Sequence, residues 1–544
     1  MEERRTRQAL VQPTDEPAVD APADFDGILY GVGEFGRYQV VLYFLICIPA
    51  SVPCAWSAFN TPFLVAQPTF RCANNATAAT AADDPCGVRW SDADNRSMLC
   101  TAGWLYDRSV YTETLVTQFD LVCDDRFWTT YATTAFYIGS FIGNILFGYI
   151  ADRWGRRASF FCILATLVGF GTCSAFAPNI HVFTALRFLV GLAFPALFQI
   201  PFIISVEMIG PSGRVFAGMV ICVIFGSAMT ALGGVAALLR HWAYITLVSH
   251  APFVLLFSYW LFLPESPRWL VSARKFSDAA EVLAKLGRCN GRQVDVDELR
   301  QQCAQAYAAA EKEKEELKRH NLLDLFRTPR LRLRTILITF IWLVNAVTYN
   351  GLTLSVSNLR INDYLSFAIF GAVELPAYFV VWPLLSVVGR RWPLCLSMLV
   401  GGLACLAAAL VPAGVDESGW LVSGFASVGK CCIAASFAVV YIFAGELYPT
   451  VVRGVGMGWS SMVAGLGLIL GPQIVALGGT ATLLLMGALT FVAGLASMFL
   501  PETLGSHLPQ TLADAENFRG DAAFWSYGPP KHTHTPNDDS NQPC

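Results

Sequence analysis

Long apolar stretches alternate with short polar segments along nearly the whole chain. A helix needs about 20 mainly apolar residues to cross the hydrocarbon core of a bilayer, and twelve stretches reach that length. A transmembrane β-barrel would instead show segments of about 10 residues with alternating polarity. We therefore predict an all-α membrane protein with spans at 37–58, 128–150, 158–177, 181–205, 214–237, 242–263, 333–354, 363–387, 392–411, 419–444, 454–476 and 480–500.

Lys and Arg residues concentrate in every second loop, and such loops remain on the cytosolic side of a membrane. The arginines after the second span and the charged connection after the sixth then lie inside, together with both termini. This orientation predicts five regions: a cytosolic segment 1–36, a six-span half 37–263, a cytosolic linker 264–332, a second six-span half 333–500, and a cytosolic tail 501–544.

The polar segment 59–127, between the first two spans, is predicted to lie outside the cell. It contains two glycosylation sequons, at Asn75 and Asn95, which are used only on that side. It also contains four cysteines, which an oxidising environment would join as two disulfides with three alternative connectivities. These cysteines are Cys72, Cys86, Cys100 and Cys123.

The composition agrees with a membrane protein and argues against several classes of function. Hydrophobic residues make up 54% of the 544 residues and charged residues only 14%, about half the share of a soluble domain. The net charge of −4 and the absence of a basic stripe argue against a nucleic-acid partner. The seven histidines show no metal-ligand spacing, and no catalytic constellation is visible. We predict no enzyme activity, no metal and no cofactor.

An internal repeat divides the chain into two similar halves. Two six-span halves related by an axis along the membrane normal are typical of transporters. Three landmarks recur with nearly the same offset: Gly155 and Gly389 are 234 residues apart, Glu207 and Glu446 are 239 apart, and Pro264 and Pro501 are 237 apart.

Charged residues recur at the cytosolic ends of both halves and are candidates for an inner gate. Glu207 lies seven residues before Arg214, and Glu446 lies seven residues before Arg453. Ion pairs among such groups would close the gate in one state and break in the other. The alternative is that they only determine topology. The candidates are Asp152, Arg153, Arg156, Arg157, Glu207, Arg214, Arg390, Arg391, Glu446 and Arg453.

Several motifs resemble those of known transporters. Gly148-Tyr-Ile-Ala-Asp-Arg-Trp-Gly-Arg-Arg157 and the twofold repeat are similar to the major facilitator superfamily. Phe25-Asp-Gly-Ile-Leu, Gly445-Glu-Leu-Tyr-Pro-Thr-Val-Val-Arg453 and Pro501-Glu-Thr-Leu-Gly505 resemble the solute carrier 22 family of organic cation, zwitterion and anion transporters. The resemblance extends from about residue 24 to residue 517.

The resemblance implies a polyspecific transporter of organic cations or zwitterions in the plasma membrane, working by alternating access with the monomer as a sufficient unit. An organic anion exchanger is the alternative. Cation-transporting members of the family usually carry an acid in span eleven, and anion or carnitine transporters carry an arginine. This chain has Ala464 there, so that position does not decide the sign of the substrate charge.

Ionisable residues within spans are scarce, and each should face a cavity or a partner because its insertion is costly. Glu374 and Lys430 each lie about halfway along a span and are candidates for the substrate site. Glu374 either faces the substrate or forms a structural ion pair with Lys430. The resemblance places Glu374 and Tyr349 at the cavity. Aromatic and amide groups complete the predicted site, because aromatic faces attract organic ammonium ions: Phe198, Gln199, Phe202 and Asn345.

Two further features within spans are interpreted structurally. Gly139 and Gly143 are four residues apart. This is the spacing that small residues show where two transmembrane helices pack closely. Arg187 lies near the outer end of the fourth span, where its side chain either extends to the membrane surface or forms a structural hydrogen bond.

Overall fold

Twelve helices long and apolar enough to cross a membrane occur in the described part of the chain, which confirms the predicted number. The computed structural model describes residues 25–73, 86, 103–317, 321–358, 361–412, 419–504 and 509–518. The sequons at Asn75 and Asn95 and the predicted disulfide cysteine Cys100 lie outside these residues. Large apolar side chains remain exposed on the outer faces of the helices, as at Leu238, which is 85% exposed. Such apolar faces are suited to contact with lipid rather than with water.

The first half of the bundle contains spans 1 to 6. Their helices are Arg37–Phe59 (span 1), Phe127–Trp154 (span 2), Arg156–Ser174 (span 3), Ile180–Ala193 with Ala196–Met208 (span 4), Pro211–Leu239 (span 5), and Trp242–His250 continued by the 3₁₀ helix Ala251–Leu261 (span 6). The short helix Phe25–Val32 precedes span 1. It is attached to the bundle by Asp26, which accepts hydrogen bonds from Arg214 at the start of span 5.

The second half repeats this arrangement. Its helices are Pro329–Leu354 (span 7), Asp363–Ala372 with Glu374–Val387 (span 8), Arg391–Leu410 (span 9), Trp420–Leu447 (span 10), Arg453–Val475 (span 11) and Gly479–Ser497 (span 12). Span 7 begins at Pro329, before the predicted position 333, because proline at the first helical position lacks only an N–H that needs no partner there.

The connections define the two ends of the bundle. The loop end carries the hairpin of Phe70–Cys72 with Trp104–Tyr106, and the short helices Thr61–Leu64, Leu115–Gln118 and Cys123–Arg126. The linker end carries the helices Pro267–Ser272, Phe276–Cys289, Val296–Leu317 and Leu322–Phe326 between the halves. It also carries the turn Thr450–Val452 and the tail helix Leu512–Asn517, while Ser355–Asn358 follows span 7 at the loop end.

Disulfide bonds restrain the loop end. Cys86 is joined to Cys123, which lies next to the start of span 2, and Cys72 on the first strand is disulfide-bonded as well. The bond between Cys86 and Cys123 belongs to one of the three connectivities that the sequence allowed.

Spans 4 and 8 are each broken near the middle, which the apolar pattern did not predict. Span 4 breaks at Phe194 and Pro195, and span 8 breaks at Val373. In span 8 the cause is Pro376, because its missing N–H leaves the carbonyl of Ala372 without a helical partner. The second segment of this span therefore begins at Glu374.

Spans 2 and 4 cross at small residues, as Gly139 and Gly143 predicted. A Cβ atom on Gly139 would lie 2.2 Å from the carbonyl oxygen of Phe188, and one on Gly143 would lie 2.0 Å from that of Leu192. A Cβ atom on Gly191 would likewise lie 2.1 Å from the carbonyl oxygen of Phe136. These distances leave no room for a side chain, so the two helix backbones are in direct contact.

Arg187 is a buried part of the first half. Its guanidinium donates hydrogen bonds to the carbonyl oxygen of Ser57, to Oδ1 of Asn60 and to the hydroxyl of Thr61, at 2.6–3.3 Å. It also lies 4.5 Å from the ring centre of Phe136. The side chain is 1% exposed, so the structural hydrogen bond is confirmed and extension to the membrane surface is wrong.

We expect Gly143→Ala to destabilise the protein by about 1–3 kcal/mol, because the new methyl group would force spans 2 and 4 apart. Thermal unfolding of the detergent-solubilised protein measures the effect. Gly148→Ala, on the same helix, is the matched control, since a Cβ there meets nothing within 4 Å. Equal unfolding temperatures for the two variants would contradict the direct backbone contact.

Candidate functional site

A continuous series of aromatic rings crosses the middle of the bundle. Phe59 of span 1 and Tyr349 of span 7 lie 6.1 Å apart between ring centres, and they join the two halves. On the first-half side the series continues from Phe59 through Phe225 to Phe198 and Phe202, with spacings of 5.6–6.4 Å. In the second half it continues from Tyr349 to Phe437 at 5.7 Å and then to Tyr441.

Glu374 and Lys430 meet beside Tyr349, deep inside the second half. Oε1 of Glu374 lies 3.1 Å from Nζ of Lys430, and both side chains are 0% exposed. The hydroxyls of Tyr349 and Tyr378 donate hydrogen bonds to Oε2 of Glu374, at 3.1 and 3.2 Å. The ion pair and the two hydroxyls together stabilise a buried negative charge.

The ammonium group of Lys430 has further partners on span 7. It donates to the hydroxyl of Thr353 at 2.7 Å and to the carbonyl oxygen of Tyr349 at 3.3 Å. It also lies 3.1 Å from the centre of the Tyr349 ring. The structure therefore brings together Glu374, Lys430 and Tyr349, three of the residues that the sequence proposed for the substrate site.

The other predicted site residues occupy different places. Phe198 and Phe202 belong to the aromatic series. Gln199 lines a cavity of about 170 Å³ that extends toward the linker end, beside Asn144 and Arg156. Asn345 is fully buried and separate from the cavity, because its amide donates to the carbonyl oxygen of Ile341 and accepts from the hydroxyl of Ser436.

Sequence reasoning missed four residues that complete this centre. Phe59 and Phe225 are ordinary apolar residues of their spans, and nothing in a single sequence distinguishes them from packing residues. Thr353 and Tyr378 carried a usable signal, because they follow Tyr349 and Glu374 by four residues and so share a helix face with them.

Charged clusters of the same design lie at the linker end of both halves. In the first, Arg156 pairs with Glu207 at 3.4 Å and with Asp152 at 3.0 Å. Glu265 accepts hydrogen bonds from the backbone N–H groups of Arg156 and Arg157, at 2.9–3.2 Å. The carboxylate of Glu265 thereby caps the start of span 3.

In the second half, Arg390 pairs with Glu446 at 2.8 Å. Glu502 accepts hydrogen bonds from the backbone N–H groups of Arg390 and Arg391, at 2.9 and 3.0 Å. The turn before each cluster has a glycine with positive φ, 99° at Gly155 and 106° at Gly389. A side chain there would collide with the capping glutamate, which lies 2.3–2.5 Å from the Cβ position.

Two other arginine candidates do not pair with these glutamates. Arg214 pairs with Asp26 at 2.6 Å rather than with Glu207. Arg453 donates to the carbonyl oxygen of Tyr448 and to Thr450, at 3.3–3.4 Å, rather than to Glu446. The spacing in the sequence does not distinguish these arginines from Arg156 and Arg390. The glycine turns at Gly155 and Gly389 do, because Arg156 and Arg390 directly follow them.

Three further candidates have local contacts. Arg153 donates weakly to the hydroxyl of Tyr149 at 3.5 Å. Arg157 donates to the carbonyl oxygen of Trp260 and lies over its ring, with 4.6 Å to the ring centre. Arg391 lies over the ring of Trp392 at 5.3 Å.

The two halves are joined toward the loop end. Tyr111, in the segment before span 2, donates to Oδ2 of Asp363 at the start of span 8, at 2.6 Å. Tyr137 of span 2 donates to Oδ1 of Asn350 in span 7 at 2.5 Å. Gln473 of span 11 donates to Thr134 at 2.6 Å. At the linker end, by contrast, Arg156 and Arg390 pair within their own halves.

The chain is similar in sequence and in fold to known proteins. The protein-family model described as "Sugar (and other) transporter" matches residues 69–511. Organic cation transporter 1 of Caenorhabditis elegans is 50% identical over 91% of this chain and 89% of its own length. Solute carrier family 22 member 21 of Mus musculus is 31% identical over 91% of this chain and 95% of its own length. The chain belongs to the solute carrier 22 family.

A solved structure supports the fold. The inward-open xylose transporter XylE from E. coli covers 87% of this chain and 99% of its own length, with a TM-score of 0.61 and 16% identity. The fold is that of the major facilitator superfamily, as the repeat predicted. The family consists of transporters, so this solute carrier 22 member is a transporter and not an enzyme.

We expect Arg390→Ala to lower the free energy of unfolding by about 1.5–3 kcal/mol, because it removes charge-assisted hydrogen bonds to Glu446 and leaves that carboxylate poorly paired. Arg453→Ala, the corresponding removal of an arginine with longer contacts, should cost less than about 1 kcal/mol. Denaturation of the solubilised variants compares them. An equal or larger loss for Arg453→Ala would show that the cluster around Arg390 is not the stabilising one.

Proposed function

We propose that this protein carries organic cations or zwitterions across the plasma membrane by alternating access, as a facilitative or secondary transporter. The observation that carries the proposal is the buried carboxylate of Glu374, which lies beside an aromatic face where the two halves meet. Its relative in Caenorhabditis elegans, 50% identical, is named an organic cation transporter. The neutral side chain of Ala464 neither strengthens nor weakens this reading.

The chemistry of the centre suits substrates of varied shape. A carboxylate attracts any ammonium ion, and each aromatic face contributes about 0.5–2 kcal/mol of cation–π attraction without demanding a particular outline. Phe198, Phe202 and Phe225 are only partly buried and offer such faces opposite Glu374. Binding by one acid and several rings supports polyspecific recognition rather than recognition of one compound.

The membrane potential is a sufficient driving force for such a substrate. A monovalent cation that crosses 100 mV gains about 2.3 kcal/mol, which corresponds to roughly 50-fold accumulation. The potential can therefore drive the accumulation of cations in the cell without ATP.

Contacts between the halves support an arrangement closed at the loop end. Tyr111 and Tyr137 hold the halves together there, whereas Arg156 and Arg390 at the linker end pair within their own halves. With the linker in the cytosol, as the charge distribution predicts, substrate would exchange with the cytosol in this state. The clusters around Arg156 and Arg390 would then rearrange when the halves close at the linker end.

Replacing Glu374 tests the proposed function. We expect Glu374→Gln to reach the cell surface and to raise the KM for cation uptake at least about tenfold, because the charge that attracts the ammonium group is lost. Uptake of tetraethylammonium, carnitine and estrone sulfate in one expressing cell measures it. Glu311→Gln, which removes an exposed linker carboxylate, is the matched control.

Three results would speak against this assignment. An unchanged KM in Glu374→Gln rejects a substrate-binding role for the carboxylate. Absence of the variant from the surface favours a purely structural ion pair with Lys430. Uptake of only estrone sulfate by the wild type favours organic anion exchange over cation transport.

The hydroxyl of Tyr111 should stabilise closure at the loop end. Burial and the nearby carboxylate of Asp363 raise the pKa of Tyr111, so the hydroxyl stays protonated and donates. We expect Tyr111→Phe to shift the equilibrium toward the loop-open state about fivefold, the equivalent of one hydrogen bond. Pulsed EPR distances between spin labels at the loop ends of spans 3 and 9 measure the populations.

Tyr106→Phe is the matched control for this variant. The hydroxyl of Tyr106 also bonds an aspartate, Asp120, but within the loop of a single half. Tyr106→Phe should leave the distribution of distances between the spin labels unchanged. A shift of equal size in both variants would attribute the effect to loop stability and not to the contact between Tyr111 and Asp363.

A further inference from the structure

The ammonium group of Lys430 lies in a site that would suit a substrate amine. It donates hydrogen bonds to the hydroxyl of Thr353 and to the carbonyl oxygen of Tyr349, and it forms an ion pair with the carboxylate of Glu374 at 3.1 Å. The ring of Tyr349 provides an aromatic face at 3.1 Å. A carboxylate, neutral acceptors and an aromatic face are the groups that bind organic ammonium ions.

We propose that Lys430 is a tethered substitute for the substrate cation, which occupies Glu374 while the carrier is empty and keeps the empty carrier electrically neutral as it returns. This proposal rests on the proposed function. An arriving substrate takes over Glu374, and Lys430 retains Thr353 and the carbonyl of Tyr349 as acceptors. After release of the substrate, Lys430 pairs with Glu374 again.

The charge of the centre shows why such a substitute matters. In the empty carrier the charges of Glu374 and Lys430 cancel, and both side chains are completely buried. Without Lys430 the empty carrier would have to change conformation around an unpaired buried carboxylate, which is strongly unfavourable in an apolar interior. A bound substrate cation would remove that penalty. Lys430 is therefore needed for the return of the empty carrier and not for the passage of the loaded one.

The surroundings of Glu374 hold no second cation among the described ion pairs. The titratable groups that face it are the hydroxyls of Tyr349 and Tyr378, the ammonium of Lys430, and the thiols of Cys222 and Cys431. These hydroxyls and thiols are neutral donors at physiological pH. The charge balance of the described centre thus depends on Lys430.

The experiment compares net transport with exchange in Lys430→Gln. We expect zero-trans uptake of a radiolabelled amine to fall about tenfold or more, because only this mode requires the empty carrier to return. Exchange uptake into cells preloaded with the same amine should stay within about threefold of the wild type, because a substrate then accompanies both steps.

Lys430→Arg, which keeps the positive charge, should keep zero-trans uptake and is the matched control. Equal losses of exchange and net uptake in Lys430→Gln would overturn the proposal, and so would full net uptake. A wild type that exchanges no cation at all would instead contradict the proposed function.

The wild type provides a second test that is independent of the folding of any variant. If the empty carrier is neutral at its centre, voltage jumps on oocytes expressing it should produce no transient charge movement beyond that of uninjected oocytes until substrate is added. A substrate-free movement of about one charge per carrier would overturn the proposal, since a potential acts only on net charge that moves through it.

Discussion

The architecture depends on how much it costs to place an ionic group inside an apolar bundle. Each buried charge must meet an opposite charge or enough hydrogen-bonding groups to replace water. Arg187 meets this requirement with three oxygen acceptors and an aromatic ring, and Glu374 meets it with Lys430 and two hydroxyls. Glu374 is the candidate for function because, in the proposed mechanism, a substrate cation takes the place of Lys430 beside it.

The spans, their number and the twofold repeat could be predicted from the sequence, because membrane helices must satisfy every backbone group internally and therefore follow length and polarity. Close helix packing at Gly139 and Gly143 could be predicted as well, since only small residues allow it, but the identity of span 4 as the partner comes from the structure. The break in span 4 was not predicted, because apolar composition continues through it, whereas Pro376 marks the distortion of span 8 in the sequence itself.

The centre could be predicted only in part. Glu374 and Lys430 were identifiable because charge is scarce within spans. Asn345 was assigned to the same site, yet its amide bonds Ile341 and Ser436 between spans 7 and 10, because the position along the helix axis, as well as the helix face, decides which neighbours a side chain meets. Partner choice among arginines depends on tertiary geometry, so Arg214 and Arg453 were indistinguishable from Arg156 and Arg390.

The repeat is symmetric at the linker end but not at the centre. Both halves carry an arginine, a glutamate and a capping glutamate after spans 2 and 8. At the centre, however, the acid and the lysine belong to the second half, and the first half contributes rings at Phe59, Phe198 and Phe225. Under the proposed function, substitutions in the first half would change which molecules fit, whereas substitutions at Glu374 or Lys430 would change the electrostatic attraction for the substrate.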